Sequence, residues 1–343
     1  MIFRTSFLAA SVSLAGAAFA HDGAEPVTTV HVASAPEKKA WTGEGDYRFE
    51  SDPGWGSIPF NELPIPTHGG VAKDKAGFTY VSTDSAKGIL VFDKEGIYRR
   101  SIASEHKAIH SLMIREEKGE EILYGAWLGG KHGLKMKLDG TVLLKIPCPM
   151  ESGKYTDANQ WAPTAIDSAP DGSIFIADGY GLSYVHKFDS TGKYLLSFGG
   201  KGSGDDQFQT CHGLAVDLRG DKPLLLICDR ENKRLQHFDL DGKYVANVAK
   251  DLRRPCAVSF EGKMVAIAEL AGRVTILDEN NKEVAHLGEN TNDKQRAQFG
   301  VPATDWKPLL FTSPHGISWD GNGGVIVQDW NATGRVRHLR RLK

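Results

Sequence analysis

The sequence predicts an all-β fold, a β-propeller with six blades, and three observations support this prediction. A segment with the same order of apolar runs and turn residues recurs six times, with copies that begin near residues 68, 110, 164, 212, 256 and 315. Each copy contains about four short β-rich runs separated by turn residues, which is the content of one propeller blade. No long window has the 3.6-residue apolar periodicity of a helix.

The chain begins with a segment that has the pattern of an export signal. Arg4 supplies a positive start, residues 7–18 are apolar or small, and Ala18-Phe19-Ala20 has the pattern of a cleavage site. We therefore expect residues 1–20 to be a signal peptide and the protein to be periplasmic or secreted. No later stretch approaches 18 uninterrupted apolar residues, so we expect no membrane span.

The remaining chain divides into a lead-in segment and the propeller. Residues 21–40 are rich in Pro, Ala and charged residues without periodicity, so we expect a flexible segment there and the propeller at 41–343. Unequal spacing of the copies predicts insertions at 147–161 and 290–310. The last copy ends after about three strands, and we expect the segment around residues 46–49 to supply its missing outer strand.

The net charge bears on the class of binding partner, and the cysteine content bears on possible disulfides. The formal net charge is -2, which argues against a nucleic-acid partner, because such partners usually require a basic face. The four cysteines allow three disulfide pairings. Cys211 and Cys228 lie at the ends of two runs that would be neighbours in a hairpin, so they are the first pair to consider. Buried free thiols are equally consistent with the sequence.

Three histidines occupy the same position of the repeat in every second copy. His110, His212 and His315 each open a short apolar run, and a circular array of blades would point all three imidazoles at one axis. Three imidazoles and an open position form a usual catalytic zinc site, although copper, nickel and iron also accept imidazole. A polar channel without metal is the alternative. His68 holds the same position in the first copy. The sequence leaves its role open between a fourth ligand, a proton carrier, and a substrate-facing or structural group.

The copies resemble NHL repeats, whose pattern is visible in residues 213–217 and 229–234. More narrowly, residues 110–338 resemble peptidyl-α-hydroxyglycine α-amidating lyase. The most specific stretches are SIFIADGYG at 173–181, KFDSTGKYLLSFGG at 187–200, QFQTCHGLAVD at 207–217 and ICDRENKRLQHF at 227–238.

The resemblance implies a zinc ion held by His110, His212 and His315. It also implies a catalytic tyrosine at Tyr180, and a substrate-binding arginine at Arg230. The expected function is then an exported, metal-dependent lyase that cleaves a carbinolamide C–N bond in a small peptide-like or carboxylate-bearing substrate.

The sequence departs from the family at two positions that matter. The first-blade strand that carries an arginine in the family has none here at residues 80–84, and Gly316 stands where the family has a calcium-binding aspartate. Calcium binding therefore stays open. Two other functions also stay open. One is a non-catalytic propeller that binds a peptide or protein. The other is a calcium-dependent lactonase or esterase, although the axial positions lack the Glu, Asn and Asp that such enzymes use.

Overall fold

The computed structural model describes residues 39–57 and 64–342, which form antiparallel β-sheets arranged around one axis. The predicted six-bladed β-propeller is confirmed. The predicted signal peptide and most of the lead-in segment lie outside the described residues. Within residues 39–57 and 64–342, no helix is both long and apolar enough to cross a membrane.

Each blade is a sheet of short strands, and the inner strand of each blade comes first in the chain. Two strands precede the first full blade: β1 (Trp41–Thr42) and β2 (Phe49–Ser51). Blade 1 contains β3 (Thr67–Lys73), β4 (Thr79–Thr83), β5 (Ile89–Phe92) and β6 (Tyr98–Ile102). Blade 2 contains β7 (Ile109–Glu117), β8 (Glu120–Trp127), β9 (His132–Lys137) and β10 (Val142–Ile146). Blade 3 contains β11 (Ala165–Ser168), β12 (Ile174–Ala177), β13 (Tyr184–Phe188) and β14 (Tyr194–Gly199).

The second half of the ring repeats this arrangement. Blade 4 contains β15 (Cys211–Asp217), β16 (Leu224–Asp229), β17 (Arg234–Phe238) and β18 (Tyr244–Ala249). Blade 5 contains β19 (Pro255–Glu261), β20 (Met264–Glu269), β21 (Arg273–Leu277) and β22 (Glu283–Leu287). Blade 6 contains β23 (Pro314–Trp319), β24 (Val325–Asp329) and β25 (Arg335–Arg341). Single 3-10 turns occur at Leu128–Gly130, Met150–Ser152, Ala158–Gln160 and Ala303–Asp305.

The two ends of the chain close the ring. Strand β2 pairs antiparallel with β25, with Phe49 opposite Arg341 and Ser51 opposite Leu339, and β1 then pairs with β2. The N-terminal segment therefore completes blade 6, as predicted, although the strand begins at Phe49 rather than ending there. Backbone pairing of this kind removes the open edges that a sheet would otherwise expose.

A β-bulge at the start of the inner strand aims one side chain at the axis. In blade 2, Ile109 lies opposite Trp127 and Ser111 lies opposite Ala126, so His110 is an extra residue without a partner. The same register shift occurs around His212, Cys256 and His315. Bulges redirect side chains in this way, which explains how the same position reaches the axis in blades 2, 4 and 6, where it is a histidine.

The cysteines contribute to the apolar packing between blades. All four are free and buried. The Cys211–Cys228 disulfide is not formed, because the bulge at His212 places Cys211 opposite Asp229 and Cys228 opposite Gly213. The bulge therefore offsets the two residues that the sequence alone suggested as direct neighbours.

A buried ion pair links blade 4 to blade 5. Asp217 receives two hydrogen bonds from the Arg219 guanidinium, at 2.9 and 2.6 Å, and lies 3.0 Å from His237 Nε2. The same guanidinium donates to Asn281 Oδ1 of blade 5 at 2.7 Å. Burial alone would raise the pKa of Asp217, but hydrogen bonds from His237 and Arg219 outweigh it and hold the pKa below its usual range.

Replacing Asp217 with asparagine is expected to destabilise the protein by about 2 kcal/mol at pH 7, because it leaves a buried guanidinium without its counter-ion. A depressed folded pKa stabilises the protein above the ordinary carboxyl pKa of about 4, and this stabilisation is lost as the pH falls. The difference in unfolding free energy between wild type and variant should therefore shrink below pH about 4. Urea unfolding at several pH values measures it, with Asp241→Asn as the exposed control; a difference that does not change with pH would contradict the prediction.

Candidate metal centre

The three histidines of the repeat meet at the axis of the ring. Their side-chain nitrogens lie within 4.8 Å of one another, and the ring centroids are 4.6 Å apart for His110 and His212 and 4.9 Å apart for His110 and His315. All three residues are buried. The alternate-blade pattern in the sequence therefore corresponds to one cluster of imidazoles in space.

Hydrogen bonds fix which ring nitrogen of two histidines is available to a ligand. His110 Nδ1 lies 2.7 Å from the Thr164 carbonyl oxygen, and His212 Nδ1 lies 2.9 Å from the Cys256 carbonyl oxygen. A carbonyl only accepts, so each Nδ1 carries the proton and each Nε2 presents a lone pair. Metal-binding histidines are usually oriented in this way. Among the described residues, His315 Nδ1 has no hydrogen-bond partner.

Burial keeps the imidazoles neutral. It lowers the pKa of His110, His212 and His315 well below the ordinary value, and mutual repulsion and the charge of Arg230 lower it further. Neutral imidazole is the form that binds a metal ion. The donor set, the fixed Nδ1 protons and the clustered nitrogens together fit a transition-metal ion such as zinc.

Tyr180 lies at the mouth of this cluster. Its hydroxyl is 2.9 Å from His212 Nε2 and 3.3 Å from His110 Nε2. The residue as a whole is 40% exposed, yet its hydroxyl contacts the buried imidazoles. Burial of the hydroxyl raises the pKa of Tyr180, while the charge of Arg230 acts in the opposite direction.

The turn that carries Tyr180 is built around a buried carboxylate. Asp178 accepts hydrogen bonds from the backbone N–H groups of Ala162 and Leu182 and from the Tyr155 hydroxyl, each at 2.7 Å. Burial raises the pKa of Asp178 to about 6, although these hydrogen bonds act against it. A side chain at Gly181 would lie 2.1 Å from the Asp178 carboxylate, so the turn needs glycine there.

Arg230 contacts the tyrosine rather than standing free. Its Nη1 lies 3.1 Å from the Tyr180 hydroxyl, and its Nε donates to Glu231 at 2.8 Å. The sequence predicted a substrate-binding arginine, and that role stays a prediction. In the structure, the contact of Arg230 with Tyr180 places a positive charge directly beside the phenol oxygen.

His68 lies beside the cluster and is engaged elsewhere. Its Nδ1 is 2.6 Å from Asp84 Oδ1, and its ring centroid is 4.6 Å from that of His110. The bulge in blade 1 is longer than the others, since three residues lie between Thr67 and Val71 and oppose Ser82 alone. His68 therefore pairs with Asp84, while His110, His212 and His315 form the group that could hold a metal ion.

The sequence does not place an aspartate after the third histidine, and the structure shows why glycine is required there. A side-chain carbon at Gly316 would lie 2.0 Å from the Gly69 carbonyl oxygen. Contacts this short cannot exist without a backbone shift. Calcium binding through this position is therefore incompatible with the observed packing.

Several residues of the mouth were not identified from the sequence. Asp84 pairs with His68 across 16 residues, and Arg254 holds Glu231 across 23 residues. Tyr155 comes from the insertion between blades 2 and 3, and its contact with Asp178 spans 23 residues. The Arg254–Glu231 pair joins neighbouring blades, whereas the other two pairs lie within blade 1 or join blade 3 to the insertion before it. No local spacing in the sequence encodes any of them.

The chain is similar in sequence to amidating enzymes. It is 35% identical over 187 residues to "Probable peptidyl-alpha-hydroxyglycine alpha-amidating lyase" of Caenorhabditis elegans, covering 52% of this chain and 49% of that protein. It is 32% identical over 123 residues to "Peptidylglycine alpha-amidating monooxygenase" of Rattus norvegicus, covering 34% of this chain and 12% of that protein. The chain thus spans half or less of the relatives that it matches. No family model matches it.

Solved structures with the same fold include a streptogramin B lyase and a protein described as a putative gluconolactonase. The first has a TM-score of 0.55 and 14% identity, covering 81% of this chain and 95% of that chain. The second has a TM-score of 0.54 and 13% identity, covering 90% of this chain and 96% of that chain. At these identities the likeness concerns the fold alone. This chain is a six-bladed β-propeller that resembles, over about half its length, the peptidyl-α-hydroxyglycine α-amidating lyases.

Proposed function

We propose that this protein is an exported, metal-dependent lyase that cleaves the C–N bond of a peptidyl-α-hydroxyglycine or a similar carbinolamide. One observation carries the proposal: the Tyr180 hydroxyl lies against the Nε2 atoms of His110 and His212 and beside the Arg230 guanidinium. A metal-ligand set, a proton-transfer group and a cation thus meet at one mouth. The sequence similarity to an amidating lyase over 52% of the chain supports the same reaction.

His110, His212 and His315 would hold the metal, with zinc the ion that three imidazoles favour most. A bound divalent ion supplies Lewis acidity, which lowers the pKa of a substrate oxygen. Every other contribution comes from the chain. Burial keeps the imidazoles neutral, and the Nδ1 hydrogen bonds hold the rings of His110 and His212 in place.

The reaction requires one proton to move from oxygen to nitrogen. The substrate hydroxyl loses its proton, its oxygen forms a carbonyl with the same carbon, and the C–N bond breaks with its electron pair on nitrogen. Nitrogen then takes up a proton, which gives an amide and an aldehyde acid. Tyr180 is the group that accepts the hydroxyl proton and returns it to nitrogen. Arg230, 3.1 Å away, stabilises the phenolate form of Tyr180, which accepts the hydroxyl proton and is restored when nitrogen takes that proton up.

Release of glyoxylate from benzoyl-α-hydroxyglycine, together with elemental analysis of the purified protein, tests the proposal. We expect one transition-metal ion per chain and glyoxylate release that stops when a chelator removes the metal and resumes when zinc is restored. Bound metal without glyoxylate release would reject the reaction and leave a metal-dependent activity of another kind. A protein without metal would favour a binding propeller instead.

We further propose that the chain acts outside the cytoplasm, since residues 1–20 have the pattern of an export signal. Expression in a bacterium is expected to yield a mature protein in the periplasmic fraction that begins at His21. N-terminal sequencing and intact mass measure this directly. Replacing residues 7–18 with a polar segment should retain the full-length chain in the cytoplasm; a cytoplasmic wild-type protein that starts at Met1 would contradict the prediction.

A further inference from the structure

A cavity along the axis of the ring, which we call the shaft, reaches the three clustered histidines. Its volume is about 1200 Å³, and its wall includes the three histidines together with residues that end inner strands, such as Lys73, Glu117 and Glu261. The inner strand of blade 4 has seven residues and is therefore about 20 Å long. The histidines thus lie at the inner end of the shaft, and its open end lies where the inner strands stop.

Tyr180 and Arg230 lie at the opposite face of the ring. They follow strands β12 and β16, and both strands run antiparallel to the inner strand of their blade. In blade 4, for example, Asp229 at the end of β16 pairs with Cys211 at the start of β15. Tyr180 and Arg230 therefore stand beside the starts of inner strands, and the histidines separate their face of the ring from the shaft.

The wall of the shaft combines apolar side chains with hydroxyl groups. One apolar residue from each blade lines the shaft just beyond the histidine position, and none is more than 5% exposed: Val71, Leu112, Ile166, Leu214, Val258 and Ile317. Ser111, Ser259 and Ser318 add hydroxyl groups, and each of these residues is partly exposed. The volume of the shaft corresponds to about 40 water molecules at about 30 Å³ each, which is room enough for an ion with its hydration shell.

Two polar atoms at the inner end of the shaft lack a hydrogen-bond partner in the part of the chain that the structure describes. They are His315 Nδ1 and Ser111 Oγ, and both residues line the shaft. His315 Nδ1 lies against Gly69, where a side-chain carbon would be only 2.3 Å away. Buried polar atoms nearly always have a partner from protein or solvent. These two atoms therefore indicate that solvent reaches the histidines along the shaft.

The Tyr180 face is closed to a metal ion by contact and by charge. The Tyr180 hydroxyl already lies 2.9 Å from His212 Nε2 and 3.3 Å from His110 Nε2. The Arg230 guanidinium lies 3.1 Å from that hydroxyl, and its side chain is only 11% exposed. It is thus a fixed positive charge beside the ligand nitrogens, and like charges repel. The wall of the shaft instead carries more carboxylates than cationic groups, six against five.

We propose that the metal ion reaches His110, His212 and His315 through the shaft, from the face of the ring opposite Tyr180. The Tyr180 face is then left to the substrate, and each face of the histidine cluster admits a different molecule. This inference rests on the proposed function for the presence of a metal at the histidines, but the route can be measured without turnover.

Stopped-flow measurement of Co²⁺ binding tests the inference, because Co²⁺ held by imidazoles absorbs visible light and accepts the ligands that Zn²⁺ accepts. Ser318→Cys places a thiol in the wall of the shaft, three residues beyond His315, and a benzyl methanethiosulfonate label on that thiol obstructs the shaft. The labelled variant should bind Co²⁺ at least about tenfold more slowly than the unlabelled variant. A chelator should extract Co²⁺ more slowly by the same factor, because an obstructed route slows both directions and leaves the Kd unchanged.

Gln209→Cys with the same label is the matched control. Gln209 is exposed and lies at the Tyr180 face, where its carbonyl oxygen accepts a hydrogen bond from the Glu231 N–H at 3.0 Å. Its label should leave both rates unchanged. Wild type treated with the same reagent, followed by intact mass, shows whether the four buried native cysteines react. Removal of the label from Ser318→Cys with a reductant should restore rapid binding, which excludes misfolding as the cause.

Several outcomes would overturn the inference. They are equal rates with and without the label on Ser318→Cys, slower binding caused by the label on Gln209→Cys instead, and no Co²⁺ binding by wild type. A label that raises the Kd without slowing extraction would also overturn it, since it would act on the histidines rather than on the route. Label-dependent Co²⁺ binding without glyoxylate release would reject the proposed lyase and support the route. Glyoxylate release with Co²⁺ binding that the shaft label does not slow would reject the route alone.

Discussion

Replacing His212 with alanine is expected to reduce the bound metal from about one ion per chain to a trace. Three imidazoles supply all the protein ligands that the cluster offers. Loss of a group that only orients a ligand already weakens metal binding by about 10- to 100-fold, so loss of a ligand should weaken it by at least about 100-fold. Glyoxylate release should fall in parallel.

Elemental analysis after dialysis, and competition with a chelator of known affinity, measure the effect. His286→Ala is the matched control, since His286 lies on the outer strand of blade 5, outside the strands that carry the three clustered histidines, and its side chain pairs with Glu283. The variant should fold, because the Cys256 carbonyl loses one hydrogen bond and the cost is about 1 kcal/mol. Wild-type metal content in His212→Ala would show that the cluster is not the metal site.

Replacing Tyr180 with phenylalanine is expected to lower kcat about 10²- to 10⁴-fold, the usual contribution of a positioned proton-transfer group. The change removes one oxygen atom, which lies 2.9 Å from His212 Nε2 and 3.1 Å from Arg230 Nη1. The ring and its turn remain, so the KM and the metal content should change little.

Steady-state kinetics and metal analysis of the same preparation separate these effects. Tyr244→Phe, in the outer strand of blade 4, is the control and should retain full activity. A kcat of Tyr180→Phe within about threefold of wild type would exclude the hydroxyl from proton transfer. A parallel loss of metal would instead assign Tyr180 to the metal site.

The repeat was sufficient to predict the ring and the meeting of the three histidines. The same position opens the first strand of each copy. When the blades close into a ring, the side chains at that position all lie near the central axis. Closure by the N-terminal segment also followed from counting strands, since the last copy has only three.

The sequence could not show the local shifts of register. A bulge makes His212 an extra residue and thereby separates Cys211 from Cys228, and a longer bulge in blade 1 turns His68 toward Asp84. A bulge depends on how two strands align with each other. The apolar pattern of a strand extends over several residues, so it does not show where a single extra residue is inserted.

The mouth was the least predictable part. The predicted role of Arg230 in substrate binding gave no indication of its contact with Tyr180, which is 50 residues away. The contact of Arg254 with Glu231 crosses from one blade to the next. Such pairs require the order of the blades in space and the length of each turn, and both are properties of the folded ring.

Closure of the ring by its two ends has a consequence for the order of assembly. His315, the last of the three proposed ligands, belongs to the same sheet as Phe49–Ser51, so a nascent chain lacks the complete set of histidines until residue 315 has been synthesised. If these histidines hold a metal as proposed, its insertion follows the synthesis of residue 315. If the polypeptide crosses a membrane before it folds, the compartment of arrival rather than the cytoplasm determines which ion it acquires.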